Sequence, residues 1–119
     1  MKMKGVEMAT FNKVYLLGNL VHDPEMKHTP AGKEVCVFRM ATSKKFVGKD
    51  GQENEETLFI DVVSYGKSAV IYSRNLEKGS QVFVEGMLRQ QNWVGKDGAK
   101  REKIIVQSER VQFLAGRRE

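Results

Sequence analysis

One cysteine, two prolines and one tryptophan in 119 residues narrow the possibilities before any motif is sought. Cys36 alone rules out an internal disulfide and fits a reducing compartment. Its place in the apolar run Val35-Cys-Val-Phe38 makes it a small buried hydrophobe rather than a reactive thiol. No apolar stretch approaches transmembrane length, so no membrane partner is expected. The N-terminal Met1-Lys-Met-Lys-Gly-Val-Glu-Met-Ala-Thr10 has positive charge without an apolar segment behind it, so it is not a secretory signal. Residues 1–11 read as a flexible lead-in, and the expected location is cytoplasmic. Catalytic motifs are missing as well: there is no Gly-x-x-x-x-Gly-Lys-Ser/Thr loop, no Gly-x-Ser-x-Gly elbow and no His-Glu-x-x-His. His22 and His28, with Asp23 nearby, offer too few ligands for a metal and read as solvated loop side chains. Glu53-Asn-Glu-Glu56 follows a turn without an apolar setting to shift a pKa, so it reads as a solvated loop end. No enzyme, cofactor or metal is expected.

What is present is a folded, basic chain. Its length fits one domain able to bury its own core. Lys plus Arg number 20 against 15 Asp plus Glu, a net charge of +5 that suits an anionic partner without identifying one.

Strand patterning dominates the order of elements. Lys13-Val-Tyr-Leu-Leu17 is β-branched and apolar and is bounded by Gly18-Asn19. Pro24 and the Pro30-Ala-Gly32 turn then interrupt the chain, and residues 35–42 make a second strand. Two Gly-Lys-Asp-Gly stretches, 48–51 and 95–98, carry hairpin-tip chemistry, since Asp-Gly supplies the positive φ such turns need. In a third strand, 57–66, Leu58, Ile60 and Val62 alternate with Phe59, Asp61, Val63 and Tyr65. If the aliphatic set faces the core, Phe59 and Tyr65 share the outer face with Asp61. Ala69, Tyr72, Ser73 and Leu76 recur at helical spacing, with Ser68 placed to cap the start and Gly79 to mark the stop. Residues 81–92 and 101–113 are the last two strands. The chain is therefore all-β with one short helix. A helix between the third and fourth strands of a small Greek-key barrel is the OB-fold arrangement, here a five-stranded barrel over residues 12–114.

The aromatics divide into two groups. Phe11, Phe38, Phe83 and Phe113 lie in apolar runs and read as core, and Tyr15 and Tyr72 read as packing. Trp93 instead ends a strand and opens a basic hairpin, Arg89-Gln-Gln-Asn-Trp93-Val-Gly95-Lys-Asp-Gly98-Ala-Lys-Arg101, where a large ring suits stacking on a base while nearby cations hold phosphates. A bulge at Gly86 would reset the phase that sets its face. Phe46 stands between Thr42-Ser-Lys-Lys45 and Val47-Gly-Lys49, where an exposed ring is disfavoured unless it contacts something. Phe46, Phe59, Tyr65 and Trp93 are thus the candidate stacking rings. Lys44, Lys45, Lys49, Lys67, Arg89, Lys96, Lys100, Arg101 and Lys103 lie around them. Any one lysine there is an ordinary solvating charge; the interleaving of rings and cations is what points to nucleic acid.

Five blocks then carry a resemblance: Asn12-Lys-Val-Tyr-Leu-Leu-Gly-Asn-Leu20, Asp23-Pro-Glu25, Met40-Ala-Thr-Ser43, Tyr65-Gly-Lys67 and Lys78-Gly-Ser-Gln-Val-Phe-Val-Glu-Gly-Met-Leu-Arg89. In this order and spacing the chain resembles bacterial single-stranded-DNA-binding protein, colinearly over nearly its whole length. The resemblance implies an OB-fold subunit of a homotetramer that wraps single-stranded DNA without reading its sequence. Such a protein protects the strand in replication, repair and recombination, nucleoid-associated in the cytoplasm. It implies base stacking at the positions of Phe46, Phe59, Tyr65 and Trp93, and phosphate contacts at Lys67, Lys78 and Arg89. Phe stands at two ring positions where the family commonly has Trp, which reduces stacking area. Gln90-Gln91-Asn92 replaces residues that are frequently basic, which flattens the expected salt dependence. The family usually continues through a Gly/Pro/Gln-rich linker to an acidic tip that recruits repair and replication proteins. Residues 115–119, Ala-Gly-Arg-Arg-Glu, form a short C-terminal end with neither feature, so recruitment is not carried over. Two alternatives stay open: a dimeric primosomal OB protein acting through protein contacts, and an RNA-binding OB domain of the cold-shock kind.

Overall fold

Alternating apolar and polar residues in long runs, broken by Pro- and Gly-containing turns, give six strands and one helix. In chain order these are β1 (Val14–Leu20), β2 (Glu25–His28), β3 (Glu34–Val47), β4 (Glu53–Tyr65), α1 (Lys67–Asn75), β5 (Gln81–Val94) and β6 (Lys100–Phe113). This computed structural model describes residues 9–114, so the expectations for residues 1–8 and 115–119 fall outside the described residues. The hydrogen-bonded order is β1-β5-β6-β4-β3-β2, and β1 also pairs β3. Strands β1, β3, β4, β5 and β6 therefore close into the five-stranded barrel, with β2 added beside β3. The pairings are antiparallel except β4 with β6, and α1 connects β4 to β5 in the chain and packs against β2, β3 and β4.

Closure sets the core. Phe38, Met40, Val62, Val82, Val84, Val106 and Cys36 are fully buried, and Ala69 and Leu76 of the helix face join them. Burial pushes the Cys36 thiol up to about 11. Where β1 leaves β5 to pair with β3, the backbones approach so closely that a Cβ on Gly18 would lie 2.2 Å from the Ala41 carbonyl oxygen. Only glycine fits that crossing.

The two long hairpins, β3–β4 and β5–β6, are turned by the twin Gly-Lys-Asp-Gly stretches with one shared hydrogen-bond pattern. Gly48 N–H donates to Gln52 O (2.9 Å) and Gly51 N–H to Gly48 O (2.9 Å); Gly95 N–H donates to Ala99 O (2.8 Å) and Gly98 N–H to Gly95 O (2.9 Å). The Asp50 and Asp97 carboxylates accept from the backbone two residues on, both at 3.0 Å. Within each turn the second glycine alone, Gly51 (φ 80°) or Gly98 (φ 82°), takes positive φ.

Several sequence expectations need correction. The interrupted stretch after Pro24 contains strand β2, paired from Glu25↔Val37 to His28↔Glu34. Its Glu-Met-Lys-His sequence lacks β-branched residues, so only the partner strand reveals it. Leu58 has inward parity yet is 48% exposed, because its partner Thr42 lies just past the Asn19↔Ala41 end of the β1–β3 pairing and no described residue covers that side. Val63 has outward parity yet is buried, because β4 meets β6 there through Val62↔Val106 and Val63↔Gln107. The helix is capped by Gly66 with no side-chain cap bond, so Ser68 does not serve. Phe11 is exposed, and Phe113, also partly exposed, sits edge-on to Tyr72 rather than in the core. Tyr15 is exposed and stacks on Phe83 with centroids 6.1 Å apart.

Candidate nucleic-acid interface

Strand register decides which side chains share a surface. On β3 and β4, Ala41 pairs Phe59, Arg39 pairs Asp61 and Val35 pairs Tyr65. On β5 and β6, Arg89 pairs Ile105, Gln91 pairs Lys103 and Trp93 pairs Arg101. The register shift at Glu85/Gly86 leaves the extra residue, Glu109, on β6; β5 keeps its phase, and Trp93 stays with Arg89 and Gln91. Period-2 alternation then places Phe59, Tyr65 and Trp93 on one outer face across β3, β4, β6 and β5, interleaved with Arg39, Arg89, Arg101 and Lys103. Val63 and Ile105 are buried beneath this face, and a groove of about 290 Å³ runs over them between Tyr65, Gln91 and Lys103.

Each ring has its own electrostatic setting. Tyr65 is half-buried between two cations: the Arg89 guanidinium lies 5.7 Å and Lys33 Nζ 5.4 Å from its centroid. Arg89 Nη2 also donates to the Tyr65 hydroxyl (3.1 Å), while Nη1 donates to Gln107 (2.6 Å), so the guanidinium is fixed. Phe59 is 50% exposed, with the Arg39 guanidinium 5.6 Å from its centroid. Trp93 is 44% exposed; Arg101 stands opposite it, but its guanidinium donates to Asp97 at 2.9 Å.

Asp61 lies between these groups and accepts from Arg39 (3.1 Å) and Lys103 (2.5 Å). Partial burial works to raise its pKa, but the hydrogen bonds and charges of Lys103 and Arg39 outweigh it and hold the carboxyl below its ordinary range.

The remaining candidates are spread more widely. Phe46 pairs Asn54 in unbroken register, which puts it in the alternate set with Phe38 and Met40, on the opposite side of the β3–β4 arm from Phe59. Lys44 and Lys45 stand opposite Glu56 and Glu55, and Lys49 and Lys96 occupy the hairpin tips. Lys100 pairs Val94, and Lys67 is the first residue of α1. Lys78 lies in the α1–β5 turn, its backbone N–H donating to Asp23 (2.8 Å). The structure thus gathers three of the four rings with Arg89, Arg101 and Lys103 and leaves the other cations at the rim. Arg39 and Lys33 were not foreseen. Applying the period-2 test to Val37-Phe-Arg-Met40 would have found Arg39, a cation on the outward parity of a buried strand; Lys33 offered no signal beyond its turn. Among the described residues no cluster of His, Cys, Asp and Glu fits a metal, and no helix is long and apolar enough to cross a membrane.

The sequence model of the single-strand binding protein family matches residues 11–114. The single-stranded DNA-binding protein of Helicobacter hepaticus is 36% identical over 104 residues, which cover 87% of this chain and 61% of that protein. The chain thus spans about three-fifths of the length of this curated relative. A crystal structure of a deletion mutant of the single-stranded DNA binding protein from Thermus aquaticus superposes with a TM-score of 0.79 at 36% identity, covering 90% of this chain and 52% of that one. The Plasmodium falciparum SSB, solved in complex with ssDNA, gives 0.83 at 22% identity over 92% of this chain and 100% of that one, a likeness of fold.

Proposed function

The chain belongs to the single-strand binding protein family, and from that premise we propose that it binds and protects single-stranded DNA without reading its sequence. One observation carries the reading: Phe59, Tyr65 and Trp93 share one strand face with Arg39, Arg89 and Lys103 between them. Base–aromatic stacking in OB-folds that bind single strands contributes about 1–3 kcal/mol per base and tolerates any base, because every base has a π-face. Phosphate neutralisation adds a term of about −0.7 per contact to the log–log salt slope. Phe46, with Lys44, Lys45 and Lys49, extends contact around the β3–β4 arm; Arg101, Lys96 and Lys100 do so at the β5–β6 tip, and Lys67 and Lys78 beside the helix. Duplex DNA binds much more weakly, since its bases are already stacked on one another. The family is a non-enzymatic one, and no catalytic step is assigned. The primosomal and cold-shock alternatives find no support in the family match.

The proposal includes a homotetramer. Among the described residues Val14, Tyr15, Leu16, Leu17 and Gly18 of β1 pair β5 on one side only, and the exposed Tyr15 and Leu17 beside Phe83 leave apolar surface for a second copy to cover. The working site is the cytoplasmic nucleoid, in replication, repair and recombination.

Trp93 supplies the test. Titration with oligo(dT) at moderate salt is expected to quench its fluorescence to saturation. Unchanged emission together with no mobility shift of the oligonucleotide would sink the proposal.

A further inference from the structure

Asp61 is oddly placed for a face that meets a polyanion. It sits on β4 two residues from Phe59 and four from Tyr65, about 7 and 13 Å along the strand at the usual rise. Its side chain is 17% exposed, while Arg39 from β3 and Lys103 from β6 are 43% and 44% exposed above it. Arg39 Nη1 donates to Oδ1 and Lys103 Nζ to Oδ2, one bond each. A guanidinium has five N–H donors and an ammonium three, and no other side-chain acceptor holds either group among the described residues. One sunken carboxylate under two cations leaves a net positive charge at the surface, with both heads held on the same carboxylate and donors to spare. The lowered carboxyl pKa keeps that anchor ionised at neutral pH.

We infer that Arg39 and Lys103, held together by Asp61, form a phosphodiester-binding site for the strand that runs between the Phe59 and Tyr65 rings. The inference rests on the proposed single-strand binding and adds a site to it. Arg39 also packs against Phe59, so a base stacked on that ring carries its own phosphate to the guanidinium. The carboxylate does the positioning: two long side chains that would otherwise lose rotamer freedom on binding are already ordered.

The test is the salt dependence of oligo(dT) affinity for the full chain and for Arg39→Gln and Lys103→Gln. Each variant leaves Asp61 paired with the other cation, so neither strands a carboxylate. Each is expected to flatten the log–log slope by about 0.7, which is about a fivefold loss at 0.1 M relative to 1 M salt. Arg74→Gln, the same charge change on the exposed side of α1, is expected to keep the slope. Asp61→Asn is expected to bring no gain in affinity, because lost positioning offsets the added charge. Wild-type slopes in both Arg39→Gln and Lys103→Gln, or equal flattening in Arg74→Gln, would overturn the site while leaving DNA binding intact. So would tighter binding by Asp61→Asn, which would mean that the carboxylate sequesters the cations. A wild-type chain that does not bind oligo(dT) removes the function and the site together.

Discussion

The three rings of the shared face and the one across the arm make different contributions measurable. Phe59 and Phe46 are both phenylalanines of the same two-stranded arm, yet the register sets them on opposite sides. Phe59→Ala is expected to weaken oligo(dT) binding by about 1–3 kcal/mol without changing the salt slope, since no charge is lost. Phe46→Ala is expected to cost clearly less on an oligonucleotide too short to round the arm, with the gap narrowing on long strands; affinities by length check this. A larger loss for Phe46→Ala on the short strand would refute the two-sided arrangement. Phe59, Asp61 and Tyr65 were legible as one face because a single strand's period is enough to group them. The exposure of Leu58 and the burial of Val63 were not, because each depends on how far a partner strand reaches. The Arg39–Asp61–Lys103 contact joins three strands and has no local signature at all.

Among elements, the hairpins were the most legible, since each Asp-Gly names its own tip. The structure adds that both tips are the same turn, with an aspartate accepting from the second residue on and one glycine in the left-handed region. Gly98→Ala forces a Cβ into φ 82° and is expected to cost about 1–2 kcal/mol, read from the denaturant midpoint. Nothing lies within 4 Å of the added Cβ, so strain rather than a clash sets that cost. A neutral effect would mean that the β5–β6 tip contributes little to the folded state. Strand β2 was invisible for the opposite reason: its pairing with β3, rather than its own propensity, makes it a strand.

For the whole molecule, closure by five strands leaves β1 with one open edge and an apolar outer side. Leu17→Glu places a carboxylate on that side, at a residue 50% exposed in the single chain. The subunit is expected to remain folded while light scattering reports a species smaller than the wild type, with affinity lost chiefly on long oligonucleotides. An unchanged mass would place the assembly surface elsewhere. The OB-fold order was readable from strand, helix and turn counts; the exposure of Tyr15 and Leu17 was not, because both look like core residues until the sheet shows which side is covered.

Burial of Cys36 has a practical side. The chain's lone thiol is sealed at 0% exposure and its pKa is pushed up to about 11, so it is silent toward thiol-directed dyes near neutral pH. A cysteine introduced at either hairpin tip, Lys49→Cys or Lys96→Cys, therefore takes up label at one site in an otherwise native background. Paired with Trp93, it turns the two arms into a molecular caliper for the path of the strand.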